Sequence, residues 1–286
     1  MVAASRKNGQ KMTEVSVFGT TGFIGSYFVN NSTLQTNSTP RNELVSKSSE
    51  VLFFIGTTDN YNVFQDHLAD VNTNIIHMLN CLKASHMAHP DLIFNFVSSW
   101  FVYGESQLPF SEEQECRPKG FYSITKRASE QLLESYCLTF GIKYRIIRLA
   151  NTFGRNDLGV SKKKNALQFL IEKLRVDEPV ELYEGGNFIR DYIHVSDVIR
   201  AFDLILLSAP VNSIYNVGTG VPSRFCDLID VACNELGSKS IIKSIPTPDF
   251  HKLVQVRDSY LNVSRVEALG FKPIAELHNE IRLLCH

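Results

Sequence analysis

Phe18-Gly19-Thr20-Thr21-Gly22-Phe23-Ile24-Gly25 follows the strand-like run Val15–Phe18 and opens an amphipathic segment, Ile24–Asn31. Glycines at 19, 22 and 25 permit a tight turn, let the backbone approach a pyrophosphate and let the helix pack closely on a sheet, with phosphates at the helix N-terminus. A strand-to-helix turn without a ligand can carry the same three glycines. The arrangement of strand before and helix after is what favours a dinucleotide site. On that reading Gly19, Thr21, Gly22, Phe23, Ile24 and Gly25 face the cofactor, joined by Gly56 and Thr57 at the end of the next strand.

Outward from this turn, β-branched and aromatic runs alternate with helical patterns. Val51–Gly56, Leu92–Ser98 and Tyr144–Leu149 read as buried strands; Val71–Ala84 and Ser123–Phe140 read as helices, the second stopped by Gly141. The alternation predicts a doubly wound parallel α/β sheet of the Rossmann type. Past Gly154 the pattern loosens, with helices expected at Ala166–Leu174, Val195–Leu207 and Arg224–Leu236. Residues 12–154 are therefore assigned mainly to a dinucleotide-binding domain, and 155–286 mainly to a smaller substrate-binding lobe from which some segments return to the first. Residues 1–11, polar and basic, are expected to be a disordered leader or extension.

The stretch Asn30–Glu50 departs from the pattern. A full Rossmann half places two more strands here, yet the residues are mostly Ser, Thr, Asn, Lys and Glu. An acidic residue roughly 20 positions beyond the glycines normally holds the ribose hydroxyls, or an arginine the 2′-phosphate. Glu43 and Arg41 stand at that distance, but no strand is expected to lead to either. The cofactor is therefore NAD or NADP, with the adenosine end of the pocket abbreviated.

A second constellation lies where ligands of α/β folds bind. Phe94–Ser98 runs into Ser99 and then Trp100-Phe101-Val102-Tyr103-Gly104, placing hydroxyls at a strand's carboxyl end. Tyr122-Ser123-Ile124-Thr125-Lys126 sets a phenol and an ammonium four apart, on one face at the start of a helix. A neighbouring ammonium is expected to favour the phenolate and make Tyr122 a general base. Taken alone, such a pair is most often an ordinary exposed helical couple. It gains weight from its order behind the glycine turn and the serines.

Together GTTGFIG, SSWFVYG, YSITK, the run Arg148–Gly154, RDYIHVSD from Arg190 to Asp197, and YNVGTG from Tyr215 to Gly220 resemble the extended short-chain dehydrogenases, the NAD-dependent epimerase/dehydratase family. The resemblance runs from about Val15 to Pro273. It implies that Ser99 and Tyr122 are catalytic, that Tyr122 is the base, and that Lys126 orients the nicotinamide ribose. It places Ser99, Trp100, Phe101, Tyr122, Asn151, Asn165 and Arg190 against a nucleotide-sugar, with Lys252 or Arg257 as a further cation in a looser match.

Within the family, dehydratases resemble Thr-Asp-Glu where this chain has Ser99-Trp100-Phe101. Neither Trp100 nor Phe101 can move a proton, which disfavours dehydration and decarboxylation. The cysteine and histidine of the double epimerase/reductases are also absent. What remains is a C4 epimerase or a 4-keto-6-deoxy-sugar reductase, and the resemblance leans to the epimerase. A cofactor-binding relative without catalysis is the other alternative, set against the retained Ser99, Tyr122 and Lys126.

Composition sets the outer bounds. The chain has 286 residues, enough for one sizeable core, and its 29 basic against 30 acidic side chains give no global field for nucleic acid or an anionic membrane. Lys162-Lys163-Lys164 is the one basic cluster and reads as a solvated loop. The six cysteines lack CxxC spacing, which predicts reduced thiols and no metal site in a cytoplasmic protein. No run has the length of a membrane span or a secretion signal. A homodimer through Val71–Ala84 and Ser123–Phe140 is expected from the resemblance, although Leu132, Leu133 and Tyr136 would equally serve an intramolecular core.

Overall fold

A computed structural model describes residues 13–58, 60–157 and 165–286. The expected leader at 1–11 and the lysine cluster at 162–164 lie outside the described residues. The chain begins with β1 (Glu14–Phe18), α1 (Phe23–Asn31), β2 (Gln35–Thr39) and β3 (Glu50–Phe53). A π-helical segment, Val71–His77, runs directly into α2 (Met78–Ala88), followed by β4 (Ile93–Ser99), α3 (Phe121–Phe140) and β5 (Lys143–Leu149). Then come β6 (Asn151–Phe153), α4 (Ala166–Arg175), β7 (Val180–Tyr183), β8 (Ile189–Arg190), β9 (Tyr192–His194), α5 (Val195–Ser208) and β10 (Ser213–Val217). The last elements are β11 (Ser223–Arg224), α6 (Phe225–Leu236), β12 (Ile242–Ile245), α7 (Asp249–Val254), α8 (Ser264–Ala268) and α9 (Leu277–Leu284).

Six strands form one parallel sheet in the order β10-β5-β4-β3-β1-β2. Because successive side chains of a strand point to opposite faces, a sheet covered on both sides buries both sets and is apolar at most positions. Val15, Val17, Leu52 and Ile147 pack on one face with Phe28 of α1 and Val198, Phe202 and Ile205 of α5. Phe18, Val51, Phe53, Phe94, Phe96 and Ile146 pack on the other with Met78, Cys81 and Leu82 of α2 and Leu133 and Cys137 of α3. Helix α3 ends where Gly141 adopts φ +70°, a left-handed conformation that an L side chain resists.

One expectation is corrected here. The stretch Asn30–Glu50 does contain a strand: β2 pairs in parallel with β1 from Glu14↔Gln35 to Phe18↔Thr39. Its sequence, Gln-Thr-Asn-Ser-Thr, is polar because an edge strand covers little and is held by the backbone ladder, so it leaves no hydrophobic period to read. Lys47 donates to the Ser38 carbonyl on that edge, at 2.7 Å. The second of the two missing strands is not found among the described residues. Instead Ser16 Oγ accepts from the backbone of Lys47 and Ser48, at 2.7 and 2.8 Å, and draws the chain straight into β3.

The sheet reverses its winding between β1 and β3, the place where ligands of open α/β sheets bind. Beyond the carboxyl ends of the strands lies a second apolar cluster, built from Leu167, Leu170, Ile171 and Leu174 of α4, Leu228 and Ile229 of α6, and Ile281 of α9. Short pairs β7–β12, β8–β11 and β6–β9 join it to the sheet. No described helix is long and apolar enough to cross a membrane.

Candidate active site

A cavity of about 830 Å³ separates the large sheet from the second cluster. Its floor is the glycine turn. Gly19 has φ +88°, and a Cβ on Gly25 would come within 2.3 Å of the Gly19 carbonyl oxygen, so only glycine allows α1 to begin this close to β1. Gly19, Gly22, Phe23, Ile24, Gly25, Gly56 and Thr57 all line the cavity. Thr21 points to solvent from the turn and does not. Arg41 and Glu43 follow β2 in an exposed turn, with Glu43 N–H donating to the Pro40 carbonyl at 3.0 Å, and neither reaches the cavity wall. The strand that leads to them is real, but it ends at the rim. The glycine cradle fits the pyrophosphate of a dinucleotide; neither residue expected to meet the ribose, Arg41 or Glu43, is among the lining residues.

Ser99 ends β4 with its hydroxyl beside the phenol of Tyr122, which sits in the first turn of α3, and both line the cavity. The Ser99 oxygen also accepts the Phe101 N–H at 3.4 Å, which fixes the start of the 3₁₀ turn Trp100–Tyr103. Burial raises the Tyr122 pKa, the Ser99 bond opposes that, and the charge of Asp70 adds to it. The expectation that Lys126 lowers this pKa is therefore corrected: the phenol is held in its protonated form. Lys126 does not reach it. The Lys126 ammonium donates to the Val97 carbonyl at 2.6 Å and lies 4.2 Å above the Phe96 ring. At 3% exposure, burial pulls its pKa from 10.5 down to about 7, with Glu130 one turn later acting in the opposite sense. A lysine titrating near neutrality cannot impose a full positive charge on its neighbour.

The residue that backs α3 is Glu130, fully buried, which takes a fork of two bonds from Arg148 at 3.1 and 2.8 Å and one from Arg127 at 2.7 Å. Burial would raise its carboxyl, but the Arg148 charge and these bonds hold it below the ordinary range. This tie fixes α3 to β5.

Trp100 and Phe101 stack at 3.9 Å between centroids, and the Phe101 ring meets Tyr122 edge-on at 5.9 Å. The indole N–H is occupied by Asn151 Oδ1 at 3.3 Å, while Asn151 Nδ2 donates to the Asp191 carbonyl at 3.0 Å. Arg190 lies over both Trp100 and Phe188, and burial lowers its pKa to about 10. Its guanidinium donates to the carbonyls of Ile189 and Val256, each at 2.8 Å, and of Arg257. Asn165 caps α4 by accepting the Gln168 N–H at 3.4 Å, so it is a structural cap as well as a wall residue. Lys252 and Arg257 line the far wall, paired with Asp249 at 3.0 Å and Asp258 at 3.6 Å.

Other wall and support residues are not singled out as site residues in the sequence. Asp191 is buried and accepts from Thr219 and Gly220 N–H at 2.9 and 3.0 Å, which ties the loop after β10 to the β8–β9 corner. Tyr61, Tyr183 and His251 come together at the mouth from three distant segments. All six cysteines are free thiols, and no cluster of metal-ligating side chains occurs among the described residues.

Comparison with known proteins places this geometry. A putative UDP-glucose 4-epimerase of Methanocaldococcus jannaschii is 27% identical over 222 residues, spanning 77% of this chain and 70% of that protein. The fold matches the UDP-glucose 4-epimerase of Thermus thermophilus in complex with NAD, with TM-score 0.83 at 23% identity over 96% of this chain and 98% of the other. It also matches RMD of Pseudomonas aeruginosa in complex with NADPH, with TM-score 0.80 at 21% identity over 95% and 97% of the two chains. The sequence model of the NAD dependent epimerase/dehydratase family matches residues 35–218, from the polar edge strand through β10 and including Ser99, Tyr122 and Lys126, and the chain belongs to that family.

Proposed function

We propose that the protein is an NAD(P)-dependent nucleotide-sugar epimerase that oxidises and re-reduces the sugar at C4. The observation that carries this reading is the placement of Ser99 and Tyr122 side by side at the carboxyl end of β4, on the wall of the cavity whose floor is the glycine turn. Gly19, Gly22 and Gly25 would hold the pyrophosphate, and Lys126 the nicotinamide ribose. Bound there, the nicotinamide supplies hydride acceptance and hydride return at the sugar carbon. As the phenolate, having first released its own proton, Tyr122 would take the C4 hydroxyl proton as the carbonyl forms and give it back as the carbonyl is reduced. Ser99 holds the same oxygen through both steps. Asn151, Arg190 and the Lys252–Arg257 edge face the nucleotide side, and the six-stranded sheet with its helices forms the cofactor half. The hydrocarbon wall of Trp100 and Phe101 offers no proton carrier, which speaks against dehydration.

A second reading, a 4-keto-sugar reductase, is favoured by one observation. Arg41 and Glu43 do not line the cavity, which leaves its adenosine end open to the exchange of spent cofactor that a reductase needs at each turnover. The two separate by experiment: the pure protein is mixed with UDP-, GDP-, dTDP- and CDP-sugars, including 4-keto-6-deoxy forms. Sugar NMR and reduced-nicotinamide absorbance are followed together. The epimerase interconverts 4-hydroxy epimers without net change in absorbance; loss of one NAD(P)H per 4-keto sugar, with no epimer interconversion, identifies the reductase.

A further inference from the structure

Asn74 is a buried, fully engaged amide outside the residues considered so far. It sits in the π-helical segment Val71–His77, an uncommon geometry that re-aims side chains and recurs at functional sites. Its Oδ1 accepts the Thr57 N–H at 2.9 Å. Its Nδ2 donates to Thr57 Oγ1 at 2.8 Å and to Thr125 Oγ1 at 2.9 Å. Its own carbonyl accepts from Ser129 Oγ at 2.8 Å. One side chain therefore ties the corner after β3, Gly56–Thr57, to the turn of α3 that carries Lys126.

The spacing around Gly56 shows what the tie controls. A Cβ built on Gly56 would lie 3.2 Å from Asn74 Oδ1 and 3.4 Å from the Lys126 ammonium. The Gly56 backbone is thus wedged between the amide and the lysine, on the cavity wall. Lys126 has no side-chain anchor in its own neighbourhood, only the Val97 carbonyl and the Phe96 face. Its place is set by α3 and by the Gly56 corner, and Asn74 fixes the distance between the two. We propose that Asn74 is a positioning residue that holds the Gly56–Thr57 corner against the Thr125–Lys126 turn and so sets the Lys126 ammonium toward the nicotinamide cofactor. The proposal rests on the reading of the cavity as an NAD(P) site.

The test reads cofactor binding separately from turnover. NADH and NADPH are titrated into wild type, Asn74→Ala and Thr125→Val by nucleotide fluorescence, without sugar, and the pH dependence of binding is followed across the neutral range in which Lys126 titrates. Asn74→Ala should weaken binding by about tenfold, near the worth of one net hydrogen bond, and should shift the midpoint of its pH dependence. Thr125→Val cuts the tie at one end and should move both in the same direction by less; Thr125→Ser, which keeps the hydroxyl, should restore them. The KM for the sugar nucleotide should stay within about twofold in all three, because none of these residues faces that side. Unchanged cofactor affinity and an unmoved pH midpoint in folded Asn74→Ala or Thr125→Val would overturn the positioning role while leaving the enzyme reading standing. If wild type binds neither nucleotide, both fall. Should Asn74→Ala not fold, the Thr125→Val and Thr125→Ser pair decides the matter alone.

Discussion

Replacing Lys126 by Met removes a charge that the fold holds against its preference. Burial lowers its pKa from 10.5 to about 7, so between those values the unfolded chain binds the proton more readily than the folded one. Stability must then rise with pH across that interval and be flat below it. One pKa unit corresponds to about 1.36 kcal/mol, so two pH units above the folded-state pKa contribute roughly 3 kcal/mol in wild type. Met cannot contribute that slope. Met also loses the bond to the Val97 carbonyl and the packing on Phe96, which lowers the stability of the variant as a whole; the part of these contacts that depends on the charge titrates with the ammonium and is already contained in its pKa. Urea unfolding of both proteins at pH 6 and at pH 9 measures the difference. The stability of Lys126→Met relative to wild type should be higher at pH 6 than at pH 9 by about 3 kcal/mol. Turnover should be lost at both. Parallel stability curves would refute the claim that Lys126 is held near neutrality by burial.

Tyr122→Phe should lower turnover by at least about 10²-fold while NADH binding stays near wild type, checked by steady-state rates and fluorescence titration. Gly25→Ala should abolish nucleotide binding or prevent folding of the turn, because its Cβ would stand 2.3 Å from the Gly19 oxygen; undisturbed binding would show that α1 can shift. Glu130→Gln leaves Arg148 buried with half its fork, and urea titration should show a loss of about 3–5 kcal/mol. We also propose a homodimer through α2 and α3, whose outer faces leave Met87 76%, Leu138 70% and Phe140 55% exposed while Leu133 is consumed by the chain's own core. Light scattering at micromolar concentration should return about twice the 32.3 kDa chain mass, and a monomer would exclude it.

What the sequence determined by itself was whatever rests on local chemistry or on continuous burial. Phe18–Gly25 declared a strand, a turn and a helix because glycine spacing and β-branched residues act over a few positions. The sheet strands β3, β4 and β5 were legible because both their faces are covered, which leaves apolar runs interrupted only by hydrogen-bonded side chains such as Asn95, Arg145 and Arg148. Ser99, Tyr122 and Lys126 could be singled out because their order along the chain carries the resemblance. Only the tertiary structure decided the rest. The edge strand β2 has no apolar face, so its existence depends on the β1 backbone it pairs with. The protonation of Tyr122 and Lys126 follows from how much water the surrounding elements exclude, a property of the assembled fold and not of a four-residue spacing. Asn74 and Asp191 gain their roles from partners 17 to 70 residues away. Asp191 lies in a run that carries the resemblance, but its bonds, like those of Asn74, exist only once packing has brought distant segments together.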